Sequence, residues 1–292
     1  MQDEWGLIMI KQFPRTEIGG ISVSRMIMGT NWLLGWSHRG AASDKMIKDR
    51  YSEVDPFKAI LEAYMEYGVD TIMAPFDASS TLVRAVKETE QKLGREIIMI
   101  DTPVINVDDN ADARREAEVV LRKSRDNGAK ICLLHHSCVE QLVDKNKTEI
   151  RRLDDYTGMI RDLGMVPGLS AHMPELVIYS DANGYDVDTY IQIYNCMGFL
   201  MQVEIETVAR NIHNAKKPVI TIKPMAAGRV TPFVGFNFVW NTIRECDLVT
   251  VGAYTPDEVH EDVEISFAAL ERRYPNIEKR SSPVMDQAAF GN

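Results

Sequence analysis

Short apolar runs rich in valine and isoleucine alternate along this chain with longer stretches in which apolar residues recur at helical spacing. The runs are Ser24–Gly29, Asp70–Ala74, Ile97–Asp101, Lys130–His135, Met165–Ser170, Thr189–Tyr194, Val219–Lys223 and Leu248–Gly252. Each is nearly continuous in apolar residues, the pattern of strands buried on both faces of a parallel sheet. The segments between them predict helices. Phe57, Ile60, Leu61, Tyr64 and Met65 share one stripe, with Asp55-Pro56 read as the cap and first helical residue and Gly68 as the stop. Ala113, Ala117, Val120, Leu121 and Ser124 form a second stripe that ends at Gly128. Thr255-Pro256 opens a last helix that turns Val259, Val263, Phe267 and Leu270 inward.

Regular alternation of strand and helix predicts an α/β fold, either an open doubly wound sheet or a closed (β/α)8 (TIM) barrel. The turn after the first strand lacks GxGxxG, and the units are evenly spaced, so closure is favoured. The chain of 292 residues suits one domain, with the barrel over about 15–272 and a polar extension over about 273–292. A second domain would leave too little chain for either core.

Charge and cysteine content narrow the partners. The net charge of -10 argues against nucleic acid and anionic membrane and leaves a small molecule as the expected partner. Cys132, Cys138, Cys196 and Cys246 show no CxxC spacing, which excludes a zinc knuckle or thioredoxin-type motif and suits free thiols in a reducing compartment. The opening MQDEWGLIMIKQF does not read as a secretory signal. No apolar run approaches the ~20 residues that span a bilayer. A soluble, cytoplasmic protein is expected; its oligomeric state is not legible.

A barrel of this kind builds its active site at the C-terminal ends of the strands. Asn31 and Trp32 leave the first strand in the loop NWLLGWSH, which also carries Trp36. Asp77 leaves the second, Asp101 the third, His135 and His136 the fourth, and Ser170 and His172 the fifth. Tyr194 and Asn195 leave the sixth, Lys223 the seventh and Tyr254 the eighth. His135, Asp101, His172 and Lys223 are the catalytic candidates. Asn31, Trp32, Trp36, Asp77, Tyr194, Asn195 and Tyr254 are the substrate-binding candidates. Each has a plainer reading. His135 follows ICLL and can be a core histidine; His136 points to the other side of the strand and reads as structural; His172 can cap a helix. Asp101 ends a buried strand, where a carboxylate is costly unless paired, so it can equally be a cap or ion-pair partner. Asp77 can be a turn residue, and the tryptophans can stack on a sugar-like ring or plug the barrel mouth. Lys223, between Ile222 and Pro224, is a candidate acid, base or anion anchor.

The motifs resemble the aldo-keto reductase superfamily in order and spacing from about Arg15 to about Leu270. RTEIGGISVSRMIMGT resembles its opening hairpin and first strand, and YGVDTIMAPFDASSTLVRAV its second unit. AKICLLHH is similar to its fourth strand, GLSAHMPELV to its fifth, and IQIYN, IKPMAAGRVTP and VTVGAYTPDEVHEDV to its last three units. The resemblance implies a barrel and an Asp, Tyr, Lys, His catalytic set. The aspartate position is Met73, the tyrosine position Ala78 and the lysine position Thr102 or Pro103; the histidine is His135. The nicotinamide-stacking aromatic is replaced by Ile222, and of the Ser-Asn pair after the fifth strand only Ser170 survives, beside Ala171. Ser170 is therefore a cofactor contact only if a nucleotide binds. Where the family places cations for the 2′-phosphate of NADPH, this chain has Tyr254, Thr255, Asp257, Glu258, Glu261 and Asp262. A related branch carries an iron–sulfur cysteine cluster, absent from this C-terminal region.

Three functions follow as alternatives. One is an isomerase, epimerase or lyase that does acid–base work on a small polyhydroxylated or carbonyl substrate, with a divalent metal on Asp101, His135 and His172 as an option. The second is a divergent NAD(P)H-dependent oxidoreductase. The third is a barrel that has lost catalysis and serves in binding.

Overall fold

The computed structural model describes residues 10–277. The chain opens on a hairpin, β1 (Arg15–Ile18) and β2 (Ile21–Ser24). Its two-residue turn uses Gly19 and Gly20 at φ of 54° and 83°, the left-handed region a tight hairpin demands. The strands that follow are β3 (Met26–Gly29), β4 (Thr71–Ala74), β5 (Ile98–Asp101) and β6 (Ile131–Leu134). A small hairpin of β7 (Val143–Asp144) and β8 (Glu149–Ile150) intervenes. Then come β9 (Val166–Ser170), β10 (Tyr190–Ile193), β11 (Val219–Ile222) and β12 (Leu248–Val251). The eight long-range strands pair in parallel as β3-β4-β5-β6-β9-β10-β11-β12 and close where β12 meets β3. The fold is a (β/α)8 barrel, and every expected strand is present.

The helices are α1 (Ala41–Arg50), α2 (Val54–Glu66), α3 (Ser80–Leu93), α4 (Ala111–Asn127) and α5 (His136–Val139). They continue with α6 (Leu153–Asp162), α7 (Glu175–Asn183), α8 (Ile205–Asn214), α9 (Pro232–Thr242) and α10 (Pro256–Glu271). Gly128 caps α4, and the Thr255 hydroxyl caps α10 by accepting from the Glu258 N–H, both as expected. α2 differs: Glu53 is its cap, so Asp55 and Pro56 lie within the first turn. Proline is tolerated there because the first N–H groups of a helix have no partner inside it. Among the described residues no helix is long and apolar enough to cross a membrane. Of the expected extension over about 273–292, residues 278–292 lie outside the described residues.

Two apolar layers result. Ile27, Ile98, Ile100, Ile131, Leu133, Val166, Ile191, Ile220 and Leu248 fill the bore, and Ile18 and Val23 of the hairpin plug its N-terminal end. Alternate residues such as Met26, Ile72, Met99, Leu134, Leu169 and Val249 face the helices.

At the floor of β12 sits a buried ionic knot. Asp247, fully enclosed, accepts from the Val219 N–H at 2.8 Å, the Arg244 N–H at 2.9 Å and the Arg244 guanidinium at 2.6 and 2.9 Å. It ties the start of β11 to the loop before β12. Removing one partner of such a pair leaves an uncompensated buried charge. Asp247→Ala is expected to cost about 3–5 kcal/mol, read by urea unfolding. A loss under 1 kcal/mol would contradict the assignment.

Candidate functional site

The C-terminal mouth of the barrel opens into a cavity of about 880 Å³. Its floor is set by the last inward residues of the strands, including Gly29, Met73, Ser170, Ile222 and Thr250. Asn31, Trp32 and Trp36 rise from the loop after β3 to form one rim. Trp32 is held by Tyr254, 6.3 Å away between ring centroids, while Trp36 stays exposed. The loop is anchored where the Ser37 N–H and hydroxyl both donate to Asp44 of α1, at 2.9 and 2.6 Å.

One wall is built of histidines. His135 ends β6 and initiates α5, its Nδ1 receiving the Ser137 hydroxyl at 2.8 Å and the Ser137 N–H at 3.3 Å. With two donors aimed at Nδ1, the ring proton belongs on Nε2, the nitrogen left for a ligand. The His136 ring lies 4.3 Å from His135 and stacks on His172 at 3.7 Å with 20° between planes. Glu140, one helical turn beyond His136, accepts the backbone N–H groups of His172 (2.6 Å) and Met173 (2.9 Å) through Oε1. Its Oε2 lies 3.9 Å from His136 Nδ1. Burial, with the neighbouring His136, pushes both His135 and His172 down to about 4, so both are neutral imidazoles near pH 7.

Another part of the lining is cationic. Lys223 stands just past β11 at φ 60°, a left-handed conformation that costs about 1–3 kcal/mol for a residue with a side chain. Ile220 and Ile222 face the bore, so regular alternation would send Lys223 outward. The reversed φ accompanies a side chain that lines the cavity instead. Burial depresses its pKa, and its ammonium meets His38 Nε2 at 3.2 Å. Arg39 and Arg229 line the same region. Arg229 sits 4.1 Å over the Phe199 ring, and Arg39 5.9 Å from that of Trp32. Glu258, Glu261 and Asp262 border the end nearest α10.

Of the expected catalytic residues, His135, His172 and Lys223 meet at this cavity and Asp101 does not. Ile98 and Ile100 face the bore, so Asp101 points into the helix layer, where it accepts the Phe76 N–H at 3.1 Å. A metal shared by Asp101, His135 and His172 is thereby ruled out on geometry. Among the expected substrate contacts, Asn31, Trp32 and Trp36 line the cavity, whereas Asp77 pairs with Lys123 on the outer surface. Tyr194 faces the helices and donates to Thr242 Oγ1 at 3.1 Å. Asn195 holds its own loop through the Phe199 N–H and carbonyl, and Tyr254 packs behind Trp32 against Tyr51. Ser170 lines the cavity, where a nucleotide contact would need it. His172 caps no helix; α7 starts at Glu175 after Pro174.

The sequence reading passed over His38, Arg39, Arg229, His136 and Glu140. The first three come from loops, whose convergence leaves no spacing signal. His136 and Glu140 did leave one: a histidine and a carboxylate four apart fall on one face of a helix.

No protein-family model and no curated protein matches the chain by sequence. Solved structures do match it in fold. One described as an aldo-keto reductase of Pseudomonas aeruginosa superposes with a TM-score of 0.61 at 16% identity, covering 90% of this chain and 98% of that one. An aldo/keto reductase of Klebsiella pneumoniae, in complex with NADP and acetate, gives 0.53 at 16% identity, covering 92% and 98%. Aldose reductase of Giardia lamblia gives 0.52 at 12%, covering 91% and 90%. The barrel therefore resembles those of solved aldo-keto reductases, and identities this low carry the likeness of fold alone.

Burial raises the pKa of Asp101, with the Ser124 hydroxyl and the Phe76 and Thr102 N–H groups opposing the shift. A raised folded-state pKa means the ionised carboxylate opposes folding above that value, and the penalty vanishes below the unfolded value. Asp101→Asn keeps an acceptor for Phe76 and removes the charge. It is expected to raise the melting temperature at pH 7, the gain shrinking as the pH falls toward 4. A lower melting temperature at pH 7 would contradict this burial penalty.

Proposed function

We propose that this aldo-keto reductase-like barrel is an enzyme that moves protons on a small oxygen-rich carbonyl substrate, of the isomerase, epimerase or lyase type. The observation that carries the reading is Lys223: a half-buried, conformationally strained lysine lining the same cavity as His135 and His172. Strain of this kind concentrates where geometry serves function. A lysine with a depressed pKa exchanges a proton near neutrality more readily than an ordinary one.

The roles follow from the walls. Lys223 takes or returns the proton beside the substrate carbonyl. His135, with its proton on Nε2, donates to the oxygen on which enolate charge develops. Arg39 and Arg229 supply cationic character for a carboxylate or other anionic group on the substrate. Trp32 and Trp36 give the rim a flat apolar surface. The positions where the resembling family carries its aspartate and tyrosine hold Met73 and Ala78, so the proton donor of carbonyl reduction has no equivalent there. Neither Thr102 nor Pro103, the residues at the lysine position, can replace it.

A second reading, a divergent NAD(P)H-dependent reductase, has one specific support. Lys223, Arg229 and Ser170 line a single cavity large enough for more than a small substrate. The acidic residues Glu258, Glu261 and Asp262 at the α10 end weigh against a bound 2′-phosphate.

The test is solvent exchange. A panel of aldoses, ketoses, sugar acids and 2-keto acids is incubated in D₂O and followed by proton NMR. The reading expects loss of a C–H signal next to a carbonyl or carboxylate without added nucleotide. Lys223→Met should lower that rate by about 10²–10⁴ and remove the pH-profile limb that lies below the ordinary lysine value of 10.5. Exchange that persists unchanged in Lys223→Met would contradict the assignment of Lys223.

A further inference from the structure

We propose that His136, Glu140 and His172 form a binding site for one divalent first-row transition-metal ion at the edge of the cavity. Each offers one ligand atom, and the three atoms lie within 4.8 Å of one another. Metal–nitrogen and metal–oxygen bonds of about 2.0–2.2 Å bring two ligands on one ion to roughly 4 Å or less. Tetrahedral ligand atoms on one ion lie about 3.4 Å apart, so closing the site from 4.8 Å needs ligand-atom shifts of about 1 Å. His136 Nδ1 and Glu140 Oε2, at 3.9 Å, are within about 0.5 Å of that tetrahedral spacing.

The support around the three ligands is that of a preorganised centre. Glu140 uses Oε1 for the backbone N–H groups of His172 and Met173, which leaves Oε2 for an ion and fixes the carboxylate plane. The same two hydrogen bonds tie the loop after β9 to the end of α5, so ligands from two separate segments are held in register. His136 and Glu140 are one helical turn apart, and the stack of His136 on His172, 3.7 Å between ring centroids, holds the two imidazoles side by side. All three side chains are half-buried, enough to limit competition from bulk water without sealing the site.

Chemistry narrows the ion. Two imidazoles and one carboxylate suit zinc, iron(II), nickel or cobalt rather than magnesium or calcium, which take oxygen ligands. Three protein ligands with further positions open is the pattern of a catalytic rather than a structural centre. His136 and His172 both border the cavity that Lys223 also lines, so an ion held by them would lie at its edge. An ion there would hold a substrate oxygen in that cavity. That last role rests on the acid–base reading; the binding site does not.

The test uses the full chain, stripped of metal, titrated with Co²⁺ as a spectroscopic probe and with Zn²⁺ in competition. The expected result is one equivalent of Co²⁺ with visible d–d absorption, displaced by Zn²⁺. His136→Ala and His172→Ala should each weaken binding by tenfold or more. Glu140→Gln, whose amide oxygen still accepts the two backbone N–H groups, should weaken binding while keeping the melting temperature of the apoprotein. His213→Ala, a histidine bonded elsewhere to the Thr242 carbonyl, should bind as the parent does. Absence of saturable binding, or binding unchanged in both His136→Ala and His172→Ala, would overturn the site. Saturable binding with C–H exchange that is indifferent to metal would keep the site and remove only its proposed role in proton transfer.

Discussion

A strand alternates its side chains between two faces, and in a closed ring those faces are a bore and a helix-covered exterior. Every residue at a strand end inherits one of these destinations. Ile131 and Leu133 fill the bore, so His135 continues into the cavity above it. Val166 likewise points inward, and Ser170 follows in phase. Ile98 and Ile100 claim the bore on β5, which sends Asp101 beneath the helices to hold the Phe76 N–H. Tyr194 shares the outward phase and packs on Phe238. The composition of the site is largely a consequence of this parity. Lys223 departs from it, and does so through a backbone conformation that only a tightly packed surround can sustain.

The same constraint explains how the barrel can resemble those of reductases in fold while different side chains line its cavity. Met73 and Ile222 occupy inward positions at the cavity floor and make it apolar where the resembling family implies an aspartate and a nicotinamide-stacking ring. Ionisable groups instead gather on the β6–β9 side and beyond β11. Scaffold and site vary separately in barrels of this class, because the loops beyond the strands carry the chemistry and the pleat carries the packing.

Much of this was legible in the sequence. Parallel strands buried on both faces announce themselves as apolar runs, and Gly128 and Thr255 mark helix ends through local hydrogen bonding that needs no tertiary context. The start of α2 was misplaced because Asp55-Pro56 satisfies a first turn as well as a cap. Strand ends were found, but treating each as equally exposed to the cavity admitted Asp101 and Tyr194; counting parity from the apolar residues behind them would have excluded both. His136 reads as structural only if the strand continues through it; the chain turns into α5 there instead, and that turn carries the ring toward the cavity. Arg39, Arg229 and His38 reach the cavity from loops, and only the assembled barrel brings them together.

The central claim, that this cavity transfers protons rather than hydride, is tested most directly by fluorescence titration of the intact chain with NADH and NADPH. Trp32 and Trp36 border the cavity, so a nucleotide seated there would quench protein emission as well as change its own. The account predicts no saturable binding of either nucleotide in the micromolar range. Saturable micromolar binding that Lys223→Met or Arg229→Ala weakens would contradict it and make the barrel a divergent reductase.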